Sequence, residues 1–324
     1  MHFKTETLDD LLNKVLNVLL SCPFENEATR SDQKGNFSEI IGSVLEITNP
    51  RARLSRSDAR GKTFSALGEL LWYLSGSEEL SFITYYIPSY DKESFDGKTV
   101  YGSYGPRLLK AEGTHNQINN VISLLNNKPT SRRAAIQLFE ARDLDPNSTE
   151  NVKSIPCTCT MQFLLRKGKL NMLTFMRSND AFLGLPHDIF AFTMLQEYIA
   201  SAINADLGSY IHSVGSLHLY ENDKTAANGY LKEGFHSQEA AMKPMPKGDQ
   251  SAALQVLIAL ESKIRIGEEY NIESADLSSY WKDLAYLLKV FALFRDDKPE
   301  LIKEVKGLIS DPYYHQYIDA KMPS

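Results

Sequence analysis

The stretch CTCTMQFLLRKGKLNMLTFMRS, residues 157–178, constrains the fold more than any other. Two runs rich in threonine, methionine, leucine and phenylalanine flank a Lys167-Gly168 step, the pattern of two strands joined by a tight turn. A hairpin of this kind needs a sheet to complete it, and further strand-like runs are GSVLEIT (42–48), RRAAIQLF (132–139) and GSYIHSVGSLHLY (208–220). Helical periodicity marks 7–21, 61–75, 115–127, 187–204, 248–263, 277–294 and 298–309. The polar, Pro- and Gly-containing segment 231–250 reads as a linker, after which the pattern is almost wholly helical. The expectation is an α+β body over 1–230 with a mixed sheet, followed by a helical C-terminal extension over 231–324.

Bulk properties narrow the class of function. A chain of 324 residues, 43% hydrophobic and 23% charged, builds a large core. A formal charge of −6 argues against a nucleic-acid coat or a basic membrane-surface protein, although 51–60 and 130–133 are locally basic. The opening MHFKTETLDDLLNKVLNVLL reads as an amphipathic surface helix, not a signal peptide, and no window has the apolar length of a membrane span. Three cysteines, Cys22, Cys157 and Cys159, make no disulfide framework for this size, and no His or Cys cluster stands at metal-ligand spacing. A cytoplasmic enzyme without a metal is the expectation.

The groups able to do chemistry are scattered along the chain. Cys157 opens a strand, where a cysteine is more often a small buried hydrophobe than a nucleophile. The hairpin brings Arg177 and Ser178 back beside it; an adjacent guanidinium favours a thiolate and also holds phosphate. Glu69 sits among Leu67, Leu70, Leu71 and Leu74, a costly place for a carboxylate unless it is used or exposed. Asp188, after Gly184 and Pro186, reads either as a helix N-cap or as a ligand contact. Arg132 and Arg133, placed in a strand, would point to opposite faces, whereas His218 and Tyr220 would share one.

Together, ELLWYLSGS (69–77), VYGSYGPR (100–107), SRR (131–133), PC (156–157), GKLNMLTFMRSNDAFLGLPHDI (168–189) and HLY (218–220) resemble the thymidylate synthase family, in the family's order, over roughly residues 25–230. The resemblance implies a homodimer packed sheet to sheet, acting on a pyrimidine nucleotide with 5,10-methylenetetrahydrofolate. It casts Cys157 as the thiolate that adds to C6, Glu69 as the carboxylate organising water and proton transfer, and Tyr101 as an aid to proton removal from C5. Arg177 and Ser178, with Arg30, would hold the 5′-phosphate, and Arg132 and Arg133 would reach in from the other subunit. His218 and Tyr220 would bind the sugar, while Asp180, Tyr90 and Gly184 would border the folate.

The departures bear on the base. Where synthases acting on deoxyuridylate carry an asparagine, this chain has Asp188, which resembles the cytidylate hydroxymethylase branch of the family. A carboxyl group accepts from the N4 amino group of cytosine and shares a proton with N3, whereas an ionised carboxylate would face the O4 lone pairs of uracil. Thr158 and His187 replace a histidine and a phenylalanine, Tyr90 stands where a tryptophan is usual, and Met176 and Ser216 replace a glutamine and an aspartate. The family's short closing tail has no counterpart after Asn222. The reading is a CMP or dCMP 5-hydroxymethylase; the alternatives are a thymidylate synthase acting on dUMP and a catalytically silent nucleotide-binding module.

Overall fold

A computed structural model describes residues 1–25, 35–57, 61–145, 150 and 152–322. Arg30, the candidate phosphate ligand, lies outside the described residues. The strands are β1 (His2–Thr5), β2 (Phe37–Ile47), β3 (Ala135–Gln137), β4 (Thr158–Arg166), β5 (Lys169–Asp180) and β6 (Asp206–Tyr220). The helices are α1 (Leu8–Ser21), α2 (Thr63–Leu74), α3 (Leu80–Tyr86), α4 (Tyr104–Leu109), α5 (Gln117–Asn127), α6 (Leu185–Ala202), α7 (Lys224–Lys232), α8 (Ser251–Ile266), α9 (Ser279–Arg295), α10 (Pro299–Leu308) and α11 (His315–Asp319).

The strands form one mixed sheet in the order β1-β2-β6-β5-β4-β3. The β4–β5 hairpin is present, and Lys167 and Gly168 both take positive φ, 51° and 74°, as a two-residue turn that follows the strand twist requires. β5 and β6 run parallel, so the chain between them must cross over, and α6 is that crossover. Alternate residues of β5, Leu170, Met172, Thr174 and Met176, are buried beneath helices. The opposite face of the sheet exposes Phe175 and, on β2, Ile41, which is 80% exposed.

α6 is buried continuously from Ile189 to Ser201, an interior helix whose polar residues Thr193, Gln196 and Glu197 each make internal hydrogen bonds. It lies between the sheet and α2, whose residues are buried throughout except Ser65. α9 packs on α2, and Met194, Tyr198, Leu67, Leu71, Trp281 and Leu257 meet where α6, α2, α9 and α8 converge. The apolar core therefore runs without a break past residue 230. The segment read as a linker is irregular but docked: Met242 and Met245 are buried, and the Met245 N–H donates to Glu197 at 3.1 Å. Glu197 also takes Arg51 at 2.7 Å and the fully buried Arg53, a buried ionic knot fastening this segment to α6. No helix among the described residues is long and apolar enough to cross a membrane.

Local reading of the sequence erred in three places. Residues 2–5 form an edge strand and not the start of α1, because parallel pairing with β2 satisfies a segment too short to show periodicity. β3 covers only 135–137, so Arg132 and Arg133 precede it in irregular backbone and both are exposed, neither facing the core. α6 begins at Leu185 with Gly184 at the cap position, so Asp188 lies inside the first turn and is not the N-cap.

The packing of α2 on α3 tolerates no side chain at Gly68, where a Cβ would stand 2.1 Å from the Tyr86 ring. Gly68→Ala is expected to cost about 1–3 kcal/mol or more, read as a lower urea midpoint of unfolding.

Candidate active site

The polar residues converge where β4 begins and where β5 and β6 end. Antiparallel pairing brings the Arg177 N–H to the Cys157 carbonyl at 2.9 Å. The Arg177 side chain folds onto the same loop: Nε donates to the Pro156 carbonyl and Nη2 to the Ile155 carbonyl, each at 3.0 Å, with Nη2 also 3.7 Å from the Cys157 sulfur. A fixed positive charge thus stands beside a half-buried thiol, the arrangement that favours a thiolate. Nη1 makes no hydrogen bond with a described residue, leaving two N–H donors of an exposed guanidinium for an anion. Ser178 lies half-buried next in the chain, opposite Ser216 in the β5–β6 register. The Ser216 hydroxyl is itself committed to Glu39.

Glu69 projects from the middle of α2 and is 6% exposed. Its Oε1 accepts from Tyr73 at 2.9 Å and from Tyr90 at 2.6 Å. Burial raises its pKa, and the two tyrosine hydroxyls oppose that rise only in part. The Tyr90 ring stands edge-on to Trp72, so its placement is fixed by Glu69 and Trp72 together.

Asp188 faces this cluster from α6. The Asn179 amide donates to its Oδ2 at 2.7 Å, so it is a partnered group within the site. Burial of the carboxyl, then the charge of Glu69, push its pKa well above the usual carboxylate range; the Asn179 N–H works the other way, and Asp180 adds to the rise. Its charge is felt in turn by Tyr73, Tyr90 and Tyr104, whose pKa values burial raises first. Two carboxyl groups in one desolvated pocket do not both ionise easily.

Asp180 accepts the backbone N–H groups of Phe182 and Leu183 through Oδ1, both at 2.9 Å, and pairs with His218 in the β5–β6 register. Gly184 turns tightly, since a Cβ there would lie 3.2 Å from Asn179 Nδ2 and 3.3 Å from the Asp180 carbonyl. His218 and Tyr220 do share a face, their rings 4.9 Å apart edge to face. Tyr101 packs its ring beneath Arg107, which is clamped by Asp143 through two bonds of 2.7 and 2.8 Å, and its hydroxyl is buried beside Asp143. Arg132 and Arg133 lie beside Gln162 of β4, near the end remote from Cys157. At ~3.3 Å per residue, about six residues of strand put them roughly 20 Å from the thiol of their own chain.

Sequence reasoning missed Tyr73, Tyr104, Asn179, Tyr210 and His212. Tyr73 stands four residues after Glu69, a spacing that places both on one helix face. Tyr104 accepts the Thr158 N–H at 3.1 Å and its hydroxyl at 2.9 Å, which pins the strand just after Cys157; nothing local in the sequence announces that pairing. Tyr210 and His212 have the same two-residue spacing as His218 and Tyr220.

The raised carboxyl has a consequence for stability. A carboxyl whose pKa rises on folding contributes stability that is complete at low pH and is lost as pH climbs from the ordinary range through the raised value. Asp188→Asn removes that loss, so the variant should gain on the wild type between about pH 5 and pH 8. Thermal midpoints at the two pH values measure the difference; a constant gap would mean that the carboxyl ionises freely.

Comparison with known proteins agrees with this geometry. The fold is similar to that of thymidylate synthase from T4 phage, with a TM-score of 0.54 and 22% identity over 67% of this chain and 78% of that chain. The sequence model of the family described as thymidylate synthase matches residues 59–256, a span that holds Glu69, Cys157, Arg177 and Asp188 and extends into α8. The protein belongs to the thymidylate synthase family.

Proposed function

We propose that the protein is a CMP or dCMP 5-hydroxymethylase that uses 5,10-methylenetetrahydrofolate. The observation that carries this reading is the desolvated carboxyl of Asp188, a group able to hold a proton, where an amide would serve uracil. Cytosine offers an amino donor at N4 and a bare acceptor at N3, and a carboxylic acid complements both.

In this reading the Cys157 thiolate, kept charged by Arg177, forms a bond to C6 while the C5–C6 π bond opens and its electrons move toward C4 and N3. Asp188 supplies or shares the proton that N3 gains, which neutralises the charge developing on the ring. C5 becomes nucleophilic; methylenetetrahydrofolate, when bound, would supply the one-carbon unit, its bonds from that carbon to nitrogen breaking so that tetrahydrofolate leaves. Glu69, with Tyr73 and Tyr90 on its carboxyl, holds the water that completes a hydroxymethyl group, and Tyr101 assists loss of the C5 proton. Cys157 departs as C6 recovers its double bond. Arg177 through Nη1, Ser178 and Arg30 bind the 5′-phosphate; His218 and Tyr220 bind the sugar.

The folate fits the residues present. Among the described residues Asp180 takes backbone N–H groups through Oδ1, so its other oxygen can accept from a pterin N–H. Tyr90, held edge-on to the buried Trp72, and the tight turn at Gly184 are the other groups this reading assigns to the folate. Arg132 and Arg133, out of reach of their own thiol, serve the site of a second subunit in a homodimer formed through the exposed sheet face of Ile41 and Phe175.

Incubation of the protein and the folate with CMP, dCMP and dUMP separates the readings. Hydroxymethyl product from a cytosine nucleotide is expected; strong dihydrofolate production from dUMP would instead identify a thymidylate synthase. Cys157→Ser should reduce exchange of the C5 hydrogen roughly a thousandfold or more while nucleotide binding stays nearly intact. Unchanged exchange would remove Cys157 from this role.

A further inference from the structure

We propose that Asn179, locked by His212 and Tyr210, is a positioning residue that decides which oxygen of Asp188 faces the bound base. The inference rests on the reading that Asp188 meets that base. Asn179 is 4% exposed and both ends of its amide are used: Oδ1 lies 3.0 Å from His212 Nε2, and Nδ2 lies 2.7 Å from Asp188 Oδ2. His212 is fully buried, and its Nδ1 lies 2.7 Å from the Tyr210 hydroxyl. Burial pulls the His212 pKa down to about 3, so the ring is neutral.

A neutral ring fixes the order of donors. An amide oxygen only accepts, so His212 Nε2 carries the hydrogen, Nδ1 accepts, and Tyr210 donates to it. The chain Tyr210–His212–Asn179 therefore delivers one N–H to Asp188 Oδ2 from within the protein. Oδ1 is left to carry the proton and to turn toward a ring nitrogen, with the carboxyl plane held still. A carboxyl free to rotate would present either oxygen, and its discrimination between an acceptor and a donor at N3 would fall.

The groups facing Asp188 from neighbouring elements are Glu69 and Tyr73 of α2, Tyr104 of α4, Asp180 of β5, Tyr210 of β6, and Tyr90. All remain in an Asn179→Leu variant, so a shift in pH dependence there reports the lost N–H. Binding of dCMP and dUMP to the folate-free protein, titrated across pH, is the experiment. The wild type should lose dCMP affinity as pH rises through the Asp188 transition. Loss of a donor to the carboxylate raises that transition, so in Asn179→Leu the fall moves to higher pH and the preference for dCMP over dUMP drops by about tenfold. Tyr210→Phe, a milder change that also loosens His212, should move both in the same direction by less, and it serves if Asn179→Leu does not fold.

Unchanged pH dependence and preference in a folded Asn179→Leu or Tyr210→Phe protein, alongside an altered preference in Asp188→Asn, overturn the inference alone. Unchanged preference in Asp188→Asn overturns the assignment of Asp188 to the base, and the inference with it.

Discussion

The burial of α6 between the sheet and α2 is the constraint on which the site depends. A helix interior from Ile189 to Ser201 fixes the line of its half-buried first turn, and the crossover from β5 must enter it within the few residues 181–184. That short entry sets the end of β5 against the start of α6, which is why Asn179 and Asp188, nine positions apart, meet at hydrogen-bond distance. The same burial brings Glu69 of α2 close enough for its charge to act on Asp188.

Electrostatics in this pocket are set by desolvation more than by pairing. The carboxyls of Glu69 and Asp188 are met by hydroxyl and amide donors, and among the described residues no cation offsets either in the way that Arg51 and Arg53 offset Glu197. Both pKa values are raised, whereas at Glu197 burial, the largest single influence, is outweighed by the charges of Arg53 and Arg51 together with the hydrogen bonds from Arg51 and the Met245 N–H, which hold it below its ordinary value. The fold thus holds buried carboxyl groups in two ways: one fastened by guanidinium charges, the others met only by hydroxyl and amide donors among the described residues. Arg177 adds a third element, a guanidinium tied by backbone carbonyls so that it faces the thiol without side-chain entropy left to lose.

The helices after residue 250 belong to this economy of burial. α9 and α8 cover the side of α2 that the sheet cannot reach, and the irregular segment 234–250 is held by Glu197 and by the Arg51 carbonyl, to which Met242 donates. The C-terminal part therefore shares the interior that keeps Glu69 dry.

Period and turn chemistry are local properties, and they were enough for the hairpin at Lys167-Gly168, for seven helices and for the mixed α+β class. Ordered motifs were enough to single out Glu69, Cys157 and Arg177 as candidates, because a cysteine, an arginine and a carboxylate stand at distinctive places in the chain. Tertiary structure decided what those residues touch. The state of Asp188 depends on Asn179 and Glu69, the anchoring of the strand after Cys157 on Tyr104, and the distance of Arg132 and Arg133 from their own thiol on the length of β4. Such facts come from pairings between distant segments, and hydrogen-bond distance and desolvation exist only once the chain has closed on itself.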